Sequence, residues 1–239
     1  VEWSFRQTGS GEWLPASVPG GVHTDLMAAG KIPDPFYADN ELKVQWVAET
    51  DWEYRGFFSV PAGAGLLSAP HLFLVADGLD TFAEISINGS PVGSADNMFR
   101  QYSWDIAGKL AAGRNEVRIV FPSVVNYCKA RNDEKPLTTS NMSLVGSVFV
   151  RKAPCHFGWD WGPMLPPIGV WRDLRLEAYS AARINDVHLR QEHDKKGVVI
   201  SAAVTVEVWA AAGLKARMSV TAPDGKKTLL AEAVLENGS

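Results

Sequence analysis

The chain has 239 residues, 46% of them hydrophobic and 21% charged, enough for one large domain or for one domain and part of another. A net charge of -4 with 23 scattered basic residues excludes the basic stripe that a phosphate backbone requires, so nucleic acid is not an expected partner. No run of 18 apolar residues occurs, so no membrane partner is expected, and Val1-Glu2-Trp3-Ser4 lacks the regions of an export signal; the compartment stays open.

In chain order, helical periodicity is confined to residues 23–30, closed by a glycine. Residues 71–76 and 82–87 are rich in β-formers, and Asn88-Gly89 then supplies two residues that tolerate positive φ in a tight hairpin turn. Residues 101–106 read as a further strand. Val117, Ile119 and Phe121 alternate with Arg118, and Leu174, Leu176 and Ala178 alternate with Arg175 and Glu177, as on half-buried antiparallel strands. Between these patterns, residues 128–143 form a polar stretch that reads as a long loop, the nearest thing to a linker.

Near Ser180 the Trp- and Pro-rich loops stop and smaller alternating strands begin. Val204, Val206 and Val208 alternate with Thr205 and Glu207, and Ala222-Pro223-Asp224-Gly225 makes a turn before residues 228–234. The expected fold is therefore all-β: a jelly-roll β-sandwich over residues 1–180, then part of an immunoglobulin-like β-sandwich over 181–239. A complete sandwich of the second kind needs about 100 residues, so this one is expected to be cut short, with an unpaired sheet edge.

Cys128 and Cys155 are too few for a disulfide framework and lack zinc-site spacing, so two free thiols and no metal are expected. His156 follows Cys155, but adjacent strand residues face opposite ways, which favours a structural histidine. Nothing pairs Asp51, Asp96, Asp133 or Glu134 as the two carboxylates that glycoside hydrolysis needs, and each reads as a loop or surface charge. No phosphate loop, serine elbow or His-Glu zinc motif occurs, and no cofactor is implied.

The densest chemical signal is Phe157-Gly158-Trp159-Asp160-Trp161-Gly162-Pro163. In an extended stretch Trp159 and Trp161 would face one side and Asp160 the other, whereas the bracketing glycines and proline favour a bent loop where indole and carboxylate converge. Such a pair suits a sugar, whose C–H face lies on an aromatic ring while its hydroxyls seek a fixed acceptor. The same residues equally describe two core tryptophans and a turn-capping aspartate.

Several motifs in register resemble β-mannosidases of glycoside hydrolase family two. The opening residues 13–26 (Trp-Leu-Pro-Ala-Ser-Val-Pro-Gly-Gly-Val-His-Thr-Asp-Leu) are similar to that family, and so are Gly30-Lys31-Ile32-Pro33-Asp34-Pro35-Phe36, Asn40-Glu41 and Gln45-Trp46-Val47. Asp51-Trp52-Glu53-Tyr54-Arg55, Asp96-Asn97-Met98-Phe99-Arg100 and Arg151-Lys152 follow in the same order, and the Trp159-Asp160-Trp161 segment favours this branch over β-galactosidases and β-glucuronidases.

The resemblance implies a galactose-binding-like jelly roll, an immunoglobulin-like domain and a TIM barrel that carries the catalytic glutamates. The barrel is not in this chain, so no catalytic residue is assigned here. It further implies that Asp160 binds hydroxyls of the mannose being cleaved and that Trp159 lines its pocket. Trp161, which fits a packing role equally well, and Asn97, at a family-matching position, complete the substrate-binding set. The implied partners are a mannose-containing oligosaccharide and the remaining catalytic domain of the same polypeptide. The rival readings are a free-standing carbohydrate-binding module and a β-galactosidase or β-glucuronidase of the same family.

Overall fold

A computed structural model of the chain describes residues 1–138, 144–210 and 213–234. Its strands begin with β1 (Glu2–Gln7), β2 (Leu14–Pro15), β3 (Trp52–Val60), β4 (His71–Ala76), β5 (Leu79–Asp80), β6 (Ala83–Ile87), β7 (Ser90–Ala95), β8 (Tyr102–Asp105) and β9 (Gly113–Phe121). They continue with β10 (Phe157–Trp159), β11 (Gly162–Met164), β12 (Gly169–Val170), β13 (Leu174–Tyr179), β14 (Ala182–Asp194), β15 (Gly197–Val208), β16 (Lys215–Thr221) and β17 (Lys227–Val234). The helices are α1 (Val22–Ala28), α2 (Asn40–Lys43), α3 (Gly65–Ser68) and α4 (Val124–Glu134). The all-β class expected from the sequence is the one observed.

One sheet has the order β2-β1-β3-β9-β6-β7 and a second has β13-β4-β8. They face each other: Trp3, Ile87 and Val117 of the first and Leu74, Leu174 and Leu176 of the second line a common cavity of about 250 Å³ that opens to solvent beside Val1. Two glycines allow close packing here, since a Cβ on Gly56 would run into the Trp3 ring and one on Gly93 into the Trp104 indole. The β3–β9 pairing is the long antiparallel ladder of this sandwich, running from Trp52↔Phe121 to Val60↔Gly113. Val117, Ile119 and Phe121 are buried on it, as their alternation requires. Asn88 and Gly89, with φ of 50° and 77°, close the β6–β7 hairpin, the backbone state that this residue pair tolerates best.

Three local expectations need correction. The stretch 128–143 is not a loop from its start, because residues 128–134 belong to α4, while 139–143 lie outside the described residues. The Ser123 side chain caps that helix by accepting from the Asn126 N–H at 3.1 Å. Its first turn buries Val124, Val125 and Cys128, an apolar group invisible once the polar residues 129–134 are read by themselves. On β13, Ala178 is exposed, whereas Arg175 and Glu177 are half-buried, joined at 2.7 Å with Asp77 at 2.5 Å from the same guanidinium. Of the alternating valines on β15, Val206 and Val208 are half-buried but Val204 is exposed.

By Cα proximity the chain divides into Val1–Ser68 with Leu72–Glu177, and Ala69–His71 with Ala178–Ser239. The described part of the second unit holds two antiparallel hairpins, β14–β15 and β16–β17, each with a register shift, at Ile184/Asp186 and Met218/Ser219. Both cysteines are free, Cys128 buried and Cys155 exposed.

Buried charge shapes the larger unit. Glu53 on β3 has a fully buried side chain and pairs with Arg6 of β1 and Arg118 of β9, whose side chains are 24% and 44% exposed. On α1, the Asp25 carboxylate accepts from the Ser17 N–H at 3.1 Å and from the Tyr54 hydroxyl at 3.4 Å, and burial pushes its pKa up. Next to it, the half-buried His23 has its pKa pushed down to about 4 by burial and then by the charge on Lys152.

Two expectations follow. Replacing both Arg6 and Arg118 by Met strands a dry carboxylate and should cost about 3–5 kcal/mol, whereas Glu53→Gln leaves guanidinium groups that reach water and should cost about 1 kcal/mol. Chemical denaturation of the two variants tests this, and equal losses would contradict it. His23 favours its neutral form when folded, so its contribution is full above about pH 6.5 and is lost as pH falls towards about 4, at most about 3 kcal/mol. Half-buried His156, also shifted down by burial, acts in the same direction. Thermal melts should show stability falling over this acid window, with a shallower fall in His23→Gln; identical slopes would rule out His23 as a contributor.

Candidate functional site

The Trp159-Asp160-Trp161 segment forms the tip of a β-hairpin. Strands β10 and β11 pair antiparallel, Phe157 with Met164 and Trp159 with Gly162, which leaves Asp160 and Trp161 as the two-residue turn. Gly158 takes a φ of 94°, open to glycine at little cost, so the chain turns sharply just after the buried Phe157. Phe157 packs with Val124, Cys128 and Val150, and Phe82 and Leu144 flank this cluster. The base of the hairpin is thus set into an apolar floor made partly by α4.

The tip stands clear of that floor. Trp159 is 39% exposed and Trp161 is 74% exposed, and their rings lie 5.0 Å apart at 40°. Asp160, between them, is exposed. Among the described residues, packing covers part of Trp159 and leaves most of Trp161 open. Exposed tryptophans paired beside a carboxylate can cover an apolar ring face and accept hydroxyl hydrogen bonds from one ligand.

The far arm of the hairpin is clamped by residues whose roles sequence reasoning had not found. Glu41 Oε1 accepts from the Met164 N–H at 2.6 Å, and Gln45 Nε2 donates to the Met164 carbonyl at 2.9 Å. The same Gln45 nitrogen also donates to the Glu41 carbonyl at 2.9 Å, so α2 and the turn Gln45–Val47 hold both polar groups of one hairpin residue. The motif matches at Asn40-Glu41 and Gln45-Trp46 were the available signal. A separation of more than a hundred residues hid what they touch.

Asn97 is placed differently. Its Oδ1 accepts from the Phe99 N–H at 2.9 Å in a tight turn, and its backbone forms a parallel bridge with Arg151. Met98 extends this contact, donating its N–H to the Arg151 carbonyl at 3.0 Å. Asn97 thus supports the segment that leads into the hairpin; among the described residues no hydrogen bond joins it to Trp159, Asp160 or Trp161. An open depression of about 440 Å³ lies at Phe99, lined also by Asp77, Gln101, Arg172 and Asp173, and none of the three hairpin-tip residues borders it.

Three of the four carboxylates considered for acid–base work have local structural uses. Asp51 accepts from the Ser123 N–H at 2.7 Å, Asp96 from the Tyr102 hydroxyl at 3.0 Å, and Glu134 pairs with Arg131. Among the described residues, no three of the His, Cys, Asp and Glu side chains form a group that could hold a metal ion.

Residues 3–172 match the family model described as the glycosyl hydrolase 2 galactose-binding domain-like family. The chain is 38% identical over 223 residues to Beta-mannosidase B of Emericella nidulans, covering 86% of this chain and 25% of that protein. It is 33% identical over 216 residues to the Beta-mannosidase of Rattus norvegicus, covering 87% of this chain and 24% of that protein. The chain therefore spans about a quarter of the length of these relatives. Among solved structures, the Beta-D-Mannosidase from Dictyoglomus thermophilum superposes with a TM-score of 0.81 at 37% identity, over 87% of this chain and 25% of that one. The exo-chitosanase from Amycolatopsis orientalis shares the fold, with a TM-score of 0.66 at 17% identity. With its model matched over residues 3–172, the chain belongs to the glycosyl hydrolase 2 galactose-binding domain-like family.

Proposed function

We propose that this chain is the sugar-facing, non-catalytic part of a β-mannosidase that removes terminal, non-reducing β-D-mannose from oligosaccharides. The observation that carries this reading is the Trp159-Asp160-Trp161 tip, exposed at its end and fixed at its base and far arm. The kinship with proteins named as β-mannosidases supports the choice of sugar.

In this reading Asp160 accepts hydrogen bonds from hydroxyls of the mannose unit, and the Trp159 indole covers an apolar face of its ring. Trp161 stands beside Trp159 and widens the aromatic surface, while Asn97 contributes from the turn that supports the hairpin's leading segment. Retaining hydrolysis requires two carboxyl groups about 5 Å apart on either side of the glycosidic bond, one as nucleophile and one as acid/base. Those groups belong to the remaining catalytic domain of the same polypeptide, so this chain orients the sugar and makes or breaks no bond. Residues 1–180 are read as the sugar-binding domain and 181–239 as part of an immunoglobulin-like domain, a division supported by the change in Cα proximity at Glu177/Ala178.

The test uses nitrophenyl β-mannoside, β-galactoside, β-glucoside and β-glucuronide with the full-length polypeptide, its Asp160→Ala variant and this chain. We expect β-mannoside turnover that falls at least about 100-fold in the variant, roughly 2.7 kcal/mol of transition-state stabilisation, and none from the chain itself. Turnover only of another glycoside would place the protein in a different branch, and an unaffected variant would remove Asp160 from the pocket. Millimolar or tighter binding of manno-oligosaccharide to the chain would favour a free-standing binding module.

A further inference from the structure

Lys152 lies where the chain leaves its bridge to Asn97 and turns towards the hairpin. Its side chain has no exposed surface, and its Nζ donates to Asp80 Oδ2 at 2.6 Å and to the Pro167 carbonyl at 2.8 Å. Residue 167 lies just past the hairpin. One ammonium thus joins the outgoing and returning ends of the excursion formed by residues 153–166, at whose tip stand Trp159, Asp160 and Trp161.

The same ammonium ties that excursion to the sandwich. Asp80, 2% exposed, sits on β5, and its second oxygen accepts from the Thr81 hydroxyl. Strand β5 pairs with β12, Gly169 opposite Asp80 and Val170 opposite Leu79, so the returning segment is already in register with Asp80. The Val22 N–H, donating to the Ile168 carbonyl at 2.9 Å, fixes it further. On the outgoing side, Ala153 donates its N–H to Met98 Sδ at 3.1 Å. Lys152 links these two separately anchored ends.

A dry ion pair is weak evidence for stability, because desolvating both charges offsets their attraction, and apolar residues of similar volume often serve as well. Apolar contact, however, does not fix direction. An ammonium shared between a carboxylate and a backbone carbonyl sets the separation of the two chain ends, and closing a loop at its base limits where its tip can go. The location of the pair, at the mouth of the segment that carries the exposed indoles, matches that use.

We propose that the buried Lys152–Asp80 pair is the positioning device of the Trp159–Asp160 hairpin, in which one ammonium clips both ends of residues 153–166 to β5 and so sets where the tip stands. The kinetic consequence rests on the reading of Trp159 and Asp160 as sugar contacts; the mechanical one does not. Neither Lys152 nor Asp80 is a catalytic residue in this account.

The test is the double variant Lys152→Met/Asp80→Asn in the full-length polypeptide, which removes both charges while keeping similar side-chain size. Amide hydrogen exchange is followed in the hairpin, residues 157–164, and in β9, residues 117–121. We expect hairpin amides to exchange at least about tenfold faster with β9 unchanged, since a local clip protects only what it holds. Unchanged hairpin exchange overturns the proposal, and so does equal acceleration of hairpin and β9, the mark of general destabilisation. In kinetics on nitrophenyl β-mannoside, kcat/KM should fall at least about tenfold, and adding Asp160→Ala should then cost far less than in the wild type, because coupled positions are non-additive. If Asp160→Ala lowers turnover in the wild type but the pair variant keeps full kcat/KM, the positioning proposal fails and the sugar reading stands. If the hairpin loosens alone while Asp160→Ala is silent, positioning stands and the sugar reading falls. Lys152→Arg, which keeps both charges but replaces the compact ammonium by a longer planar fork, gives the same readouts with smaller expected changes should the double variant not fold.

Discussion

The pairing of β3 with β9 is the constraint from which the rest of this molecule follows. Strand β1 adds to the free side of β3 and β6 to the free side of β9, so the six-stranded sheet grows outward from that ladder. Just beyond its end, Asp51 accepts from the Ser123 backbone, and Ser123 caps α4. The first turn of α4 then presents Val124 and Cys128 to Phe157, the buried foot of the exposed hairpin. An unbroken physical path thus runs from a backbone ladder in the core to the two indoles at the surface.

Two buried carboxylates illustrate different uses of charge. Glu53 lies within the large sheet between two arginines that keep part of their surface in water, so the desolvation falls mainly on one partner. Asp80 and Lys152 are both dry, and burial pushes the Lys152 pKa down while Asp80 opposes that shift. The first arrangement ties neighbouring strands of one sheet. The second joins segments that are not strand neighbours, at the place where the chain departs from the sandwich.

That departure is where the proposed sugar contacts stand. A sandwich fills its interior with the facing sides of its two sheets, which leaves ligand recognition to what projects beyond them. Here the projection is a short hairpin with a buried foot, a clamped far arm and an exposed aromatic–carboxylate tip. In the proposed function, a surface this small completes a pocket whose other wall belongs to the catalytic domain.

Local periodicity made much of the sandwich legible before any coordinates. The alternation of Val117, Ile119 and Phe121, the Asn88-Gly89 turn and the short helix near His23 each depend on neighbours a few residues apart, so each leaves a pattern in the chain. The tip was legible as chemistry, since two indoles around a carboxylate stand out in any context, yet the same letters describe core tryptophans equally well. Their exposure was decided by folding, because it depends on whether other segments cover them. Helix α4 escaped notice because its apolar first turn and its polar remainder fall on either side of Cys128. The contacts of Glu41 and Gln45 with Met164, and of Lys152 with Asp80, join positions 72 to 123 residues apart. A pairing over such distances imposes no period on the residues between, so it exists as a physical interaction only once the strands have brought its partners together.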